Sequence, residues 1–73
     1  MAEREYSEID GERLQEIRMS RGFTLRRLEI HSGVSYERIN ELELGGGVAD
    51  GDTIEKLAEA LDVEPSELLA EDA

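Results

Sequence analysis

The residues best suited to chemistry in this 73-residue chain stand between Arg26 and Leu44. Residues 32–45 read SGVSYERINELELG. Glycine, an aliphatic residue and serine suit a turn and a helix cap, and Ile39 and Leu42 at i, i+3 give the following helix one apolar side. With Val34, Ile39 and Leu42 inward, the outward set is Tyr36, Glu37, Arg38, Asn40, Glu41 and Leu44. These groups are not a bond-breaking set; they are hydrogen-bond donors and acceptors held at helical spacing. An arginine fork matches guanine, an asparagine amide matches adenine, and a glutamate accepts from a cytosine amino group. Tyr36 offers contact to a thymine methyl or a phosphate. Arg26 and Arg27, just upstream, are of the type that holds phosphates, as are backbone amides at a helix start such as the one Ser35 caps. The bland alternative is a solvated surface: Arg38 and Glu41 as a pair, Glu37 and Glu41 repelling at i, i+4, and Arg26 and Arg27 neutralising local acids.

Other chemistries lack their residues. His31 is the only histidine and there is no cysteine, so neither a zinc site nor a disulfide is available, and His31 reads as a surface residue. No serine has a histidine and an acid at helpful spacing. The stretch GGGVADGD (45–52) lacks the lysine of a phosphate loop and the ligands of an EF-hand. No apolar run approaches the roughly 20 residues of a membrane span, and no signal-peptide pattern opens the chain. The expectation is no enzyme, no cofactor, no metal, no membrane, and a cytoplasmic location.

The formal net charge of -11 is unevenly placed. Residues 1–10 carry -3, residues 11–45 are neutral with six acids against six arginines, and residues 46–73 carry -8 with Lys56 as their one base. Five arginines lie between positions 13 and 27. Net charge governs solubility and encounter, and it does not veto a local basic patch. A single lysine among eight bases fits a salt-adapted organism and an arginine-rich genome equally.

The elements that must hold these residues read as short helices. Residues 1–9 look like a polar arm. Asp10 caps a first helix, Gly11 to Arg21, with Leu14 and Ile17 inward, Arg18 and Arg21 at its dipole-favoured end, and Gly22 as its stop. Thr24 caps a second helix that runs to about Ser32 with Leu28 inward, and Gly33 turns the chain. Ser35 caps a third, Tyr36 to Leu44. A glycine loop through about Gly51 leads to a fourth, Asp52 to Asp62, where Asp52 and Glu55 resemble a capping box and Ile54, Leu57, Ala58 and Leu61 form a stripe. Pro65 opens a short fifth helix that brings Leu68 and Leu69 to the core. No stretch alternates like a strand. The expected class is all-α, five short helices around one core.

The segment TLRRLEIHSGVSYERINELELG (24–45) resembles the helix-turn-helix of Cro/C1-type (Xre-like) regulators. Thr24, Leu28, Gly33, Val34, Ser35, Ile39, Leu42, Glu43 and Gly45 match the family pattern. The segment LQEIRMSRGFT (14–24) resembles the family's first helix, and TIEKLAEALDVEPSELL (53–69) resembles its fourth and fifth, so the resemblance covers about residues 9 to 70. It implies a lambda-repressor-like domain over 10–70, with the motif at 24–45. Helix 36–44 would then enter the major groove of double-stranded DNA, in a transcriptional regulator, as repressor or autoregulator, that reads two half-sites as a homodimer.

Four positions depart from that pattern. Leu25 stands where the family has a backbone-gripping glutamine, Leu44 where a basic residue is common, and Ala49 where the loop has proline. Glu29 replaces an alanine that packs against the next helix, so its charge must bend toward solvent, beside Arg26 or Arg38, or cost stability. Leu25, Ile30 and Leu44 are either local packing or a patch that meets another subunit or protein. The acidic balance and these apolar residues keep an alternative in view, a protein-binding helix-turn-helix module. The length fits a complete small repressor and a domain of a longer chain alike.

The acidic flanks generate a first expectation. Nine acids against one lysine after residue 45 repel one another at low ionic strength. Added salt should raise the melting temperature, most steeply below roughly 0.15 M, where the Debye length exceeds about 8 Å. A thermal melt flat or falling over that range would mean that specific ion pairs outweigh the repulsion.

Overall fold

In the computed structural model, which describes residues 6–70, the chain folds as β1 (Tyr6–Glu8), α1 (Gly11–Ser20), α2 (Leu25–Ser32), α3 (Tyr36–Gly45), β2 (Val48–Asp50) and α4 (Gly51–Leu61), then a 3-10 turn over Pro65–Leu68. Three helix starts lie where the sequence puts them. The side chains of Asp10, Thr24 and Ser35 accept from the amides of Arg13, Arg27 and Arg38 at 3.1, 3.0 and 3.2 Å. Each satisfies one amide that the first helical turn leaves without a partner.

Leu14, Leu28, Ile39, Leu42, Leu57, Leu61 and Leu68 are fully buried, one or two from each helix and one from the 3-10 turn. Ile9, Val34, Ala49, Ile54 and Ala58 complete the core, while Ile17 and Leu69 are half-buried at its margin.

The expectation of five helices and no strand needs correction. There are four α-helices and a two-stranded antiparallel ribbon, with Tyr6 opposite Asp50, Ser7 opposite Ala49 and Glu8 opposite Val48. The part of the supposed arm within the described residues, 6–9, thus lies in the ribbon and the core; residues 1–5 fall outside the described residues. Three-residue strands are too short for an alternating pattern to show. The would-be fifth helix is one 3-10 turn because its backbone is drawn elsewhere. Asp10 N donates to Leu68 O at 2.9 Å, Ala70 N donates to Glu8 O at 2.9 Å, and Ile9 pairs with Leu69 as an antiparallel bridge. Residues 8–10 therefore run between residues 47–48 on one side and 68–70 on the other.

The ribbon also moves the start of α4. Asp50, not Asp52, is its cap, accepting from Thr53 N at 3.0 Å. Asp52 sits in the first turn and pairs with Lys56 at 3.1 Å instead.

Two tertiary features were not legible locally. Arg18 is buried, and its Nε and Nη2 donate to the Glu43 carboxylate at 2.6 and 3.1 Å, while its Nη1 donates to Phe23 O at 2.7 Å. The two side chains are only 11% and 1% exposed. The dipole position assigned to Arg18 is real, but the guanidinium spends its donors on α3 and on the loop between α1 and α2. Its neighbour Arg21 reaches across to α4, donating to Leu61 O at 2.8 Å. The second feature is Gly11, whose α-carbon lies directly on the end of α3. A β-carbon there would meet Leu42 O at 2.3 Å and Glu43 O at 2.7 Å, backbone atoms that cannot step aside.

Both features yield stability expectations. Glu43→Ala leaves Arg18 as an uncompensated buried charge and should cost about 3–5 kcal/mol. Gly11→Ala should cost about 1–3 kcal/mol through overpacking. In a domain of this size each kilocalorie lowers the melting temperature by about 4–8 °C, so both are measurable by thermal unfolding. A shift of under a degree in either variant would refute its assignment.

Candidate nucleic-acid interface

The motif is built from α2, a turn and α3. Thr24 and Ser35 start the helices, and Gly33 stops the first with φ of 81°, a left-handed conformation that glycine adopts without steric cost. Leu28, Val34, Ile39 and Leu42, all buried, lock the two helices together.

The inward side of α3 is fixed by Ile39, Leu42 and Glu43. At about 100° per residue, Glu37 and Leu44 then stand at the centre of the outward side, with Asn40 and Glu41 to either hand. Tyr36 and Arg38 fall on opposite flanks. Glu37, Asn40, Glu41 and Leu44 are exposed, and Leu44 is 77% exposed.

Each flank meets a neighbouring element. On one, the Arg26 guanidinium of α2 stacks 4.3 Å from the centroid of the Tyr36 ring. That contact restrains an otherwise flexible cation at the rim of the face, while Arg27 beside it is exposed. On the other flank, Arg38 Nη1 lies 3.3 Å from Glu41 Oε1 and Nη2 donates to Val48 O of β2 at 2.9 Å. The structure therefore brings Tyr36 together with Arg26, and Arg38 with Glu41. Glu37 and Asn40 stand free, and the Ser35 hydroxyl is engaged in capping.

The remaining residues flagged in the sequence divide cleanly. Leu25 is half-buried and packs against the core, whereas Ile30 is 77% exposed. Glu29 is half-buried, and neither Arg26 nor Arg38 pairs with it: the first lies over Tyr36, the second is held by Glu41 and Val48. His31 is exposed and rests against Phe23, ring centroids 5.1 Å apart. Among the described residues no group of three His, Cys, Asp or Glu could hold a metal ion, and no helix is long and apolar enough to cross a membrane.

The exposed acids of the C-terminal part are carried by a different element. Asp52, Glu55, Glu59, Asp62, Glu64 and Glu67 are exposed on α4 and the segment after it, and α4 packs on α2, β2 and the 3-10 turn, whereas α3 packs on α1 and α2. The interface left by this arrangement has a mixed acidic and polar centre with arginines at its rims.

Comparison with known proteins agrees with this architecture. The family model described as helix-turn-helix matches residues 14–68. The restriction-modification controller protein C.AhdI from Aeromonas hydrophila is similar in structure, with a TM-score of 0.75 and 37% identity over 81% of this chain and 89% of that one. Hydroxyethylphosphonate dioxygenase contains a similar domain, with a TM-score of 0.76 and 28% identity over 89% of this chain but 14% of the enzyme. No curated protein matches the sequence at a significant level. With the family model spanning most of the chain and a controller protein 37% identical over 89% of its own length, the chain belongs to the Cro/C1-type helix-turn-helix family of DNA-binding transcriptional regulators.

Proposed function

We propose that the chain is a sequence-specific transcriptional regulator, a repressor or autoregulator, that inserts α3 into the major groove of double-stranded DNA in the cytoplasm. The observation that carries this reading is the free-standing pair Glu37 and Asn40 on the N-terminal half of α3, the part of a recognition helix that meets base edges. Asn40 is the reader of adenine, and Glu37 accepts from a cytosine amino group. Arg26, stacked on Tyr36, and Arg27 hold phosphates at the α2 rim, joined by the backbone amides of the turn that Ser35 caps. Glu41, on the opposite flank with Arg38, limits non-specific attraction. The similarity to a restriction-modification controller supports a regulatory role of that general kind.

Few phosphate partners imply weak binding by one copy, so the regulator acts as a homodimer on an inverted repeat. Leu44 and Val48, both exposed, with Leu69 in the tail, are the proposed dimer residues.

A second reading has an observation of its own. The centre of the α3 face is Glu37, Glu41 and Leu44, acidic and apolar, and a similar domain sits inside an enzyme chain. On that reading the same face docks a protein.

Selection of binding sites from random duplexes separates the two. The chain should enrich an inverted repeat and show little affinity for random DNA. Asn40→Ala should cost about 1–3 kcal/mol and relax preference at one base position. Arg26→Ala should weaken all sequences alike and flatten the salt slope by about one unit. No enriched sequence at low salt, with both variants binding like the parent, would end the DNA reading and direct tests to Tyr36 and Leu44 as protein contacts.

A further inference from the structure

We infer that Arg38 is a positioning residue, a clasp that holds the edge of the ribbon against α3, and not a reader of bases; this rests on the reading of α3 as the DNA-contacting helix. Residue type alone makes Arg38 the obvious partner for guanine. Its surroundings point elsewhere. Arg38 lies on the flank of α3 next to β2, about 100° from Glu37 at the centre of the outward side. Both branches of its guanidinium are engaged, Nη1 with Glu41 and Nη2 with Val48 O.

The carbonyl it meets is a particular one. Ile9 N donates to Gly47 O at 2.8 Å, which makes Ile9 and Gly47 a hydrogen-bonded pair of the antiparallel register. Pairs alternate along such a ladder, so Glu8 and Val48, one step on, are a non-hydrogen-bonded pair. The carbonyl of Val48 therefore faces away from β1, at the open edge of the ribbon. Arg38 supplies the donor that a further strand would have supplied. Glu41, one turn along α3, holds the guanidinium in that pose.

The consequence is a division of labour on one helix. Arg26 with Tyr36 fastens one flank of α3 to α2, Arg38 with Glu41 fastens the other to β2, and Glu37 and Asn40 between them stay free to meet bases. Using Arg38 on a base would release Val48 and loosen the ribbon that carries the first strand.

Hydrogen exchange and site selection on the full chain test this together. In Arg38→Ala, exchange of the Ile9 amide should rise about two- to fivefold relative to that of Leu57 in α4, the range expected for an exposed charged contact. Arg38→Lys, which keeps a donor of similar reach, should recover part of that protection. Base preference selected by Arg38→Ala should match the parent at every position, with affinity lowered evenly. An unchanged ratio of Ile9 to Leu57 exchange, or loss of preference at one base position in Arg38→Ala, would overturn the assignment. If the parent chain itself selects no sequence, the DNA reading fails, and the exchange ratio still decides whether the clasp exists.

Discussion

The buried pair of Arg18 and Glu43 is the constraint on which the rest of this fold turns. Taking two charges out of water is costly, and the cost is offset only when geometry is good and the remaining donors are used. Here the contact is two-pronged, and the third donor group meets the Phe23 carbonyl. The end of α1, the loop before α2 and the C-terminal turn of α3 are thereby fixed at one point. Since α3 is anchored at its far end, its first two turns are left to present Tyr36 through Glu41 at the surface. A buried ion pair of this kind often contributes little net stability compared with an apolar substitute, whereas removing one partner alone is costly.

A domain of this size without disulfides has little core to spare, and this one joins residues 8–10 to residues 68–70. Ile9 is buried between the segment that follows α3 and residues 68–70. Gly11 lets α1 begin directly on the last turn of α3, in a space no side chain could share. The ribbon, the 3-10 turn and the start of α1 are thus one assembly, and it abuts the C-terminal end of the helix proposed to read DNA. Packing at that end and the clasp on its flank act on the same element.

A chain of net charge -11 that belongs to a DNA-binding family is reconciled by where the acids stand. Among the described residues, most exposed acids lie on α4 and the segment after it, and the main packing partners of α4 are α2, β2 and the 3-10 turn. Near the face the cations are few: Arg26 lies over the Tyr36 ring with its N–H edge open to a phosphate, Arg27 is exposed, and Arg38 is engaged by Glu41 and Val48. Non-specific affinity for DNA comes from phosphate contacts and counterion release. On the function proposed above, a face poor in free cations surrenders that affinity and makes binding depend on base edges, so that the acidity serves selectivity.

The sequence by itself determined the parts of this protein that depend on near neighbours. Caps at Asp10, Thr24 and Ser35, the stop at Gly33 and the apolar sides of the helices each involve residues within about four positions, so residue types reveal them directly. The family and its turn followed from the same signals. The first-strand residues, read as an arm, and the glycine-rich loop gave no such signal, because a three-residue strand has no period and its partner lies some forty positions away. The cap of α4 shifted from Asp52 to Asp50 for that reason. Only the tertiary structure decided that Arg18 meets Glu43, that Gly11 must stay small, that Leu69 pairs with Ile9 just after the 3-10 turn, and that Arg38 is held by Val48. Each of these contacts depends on the distance between elements, which packing of the whole core sets and no local pattern encodes.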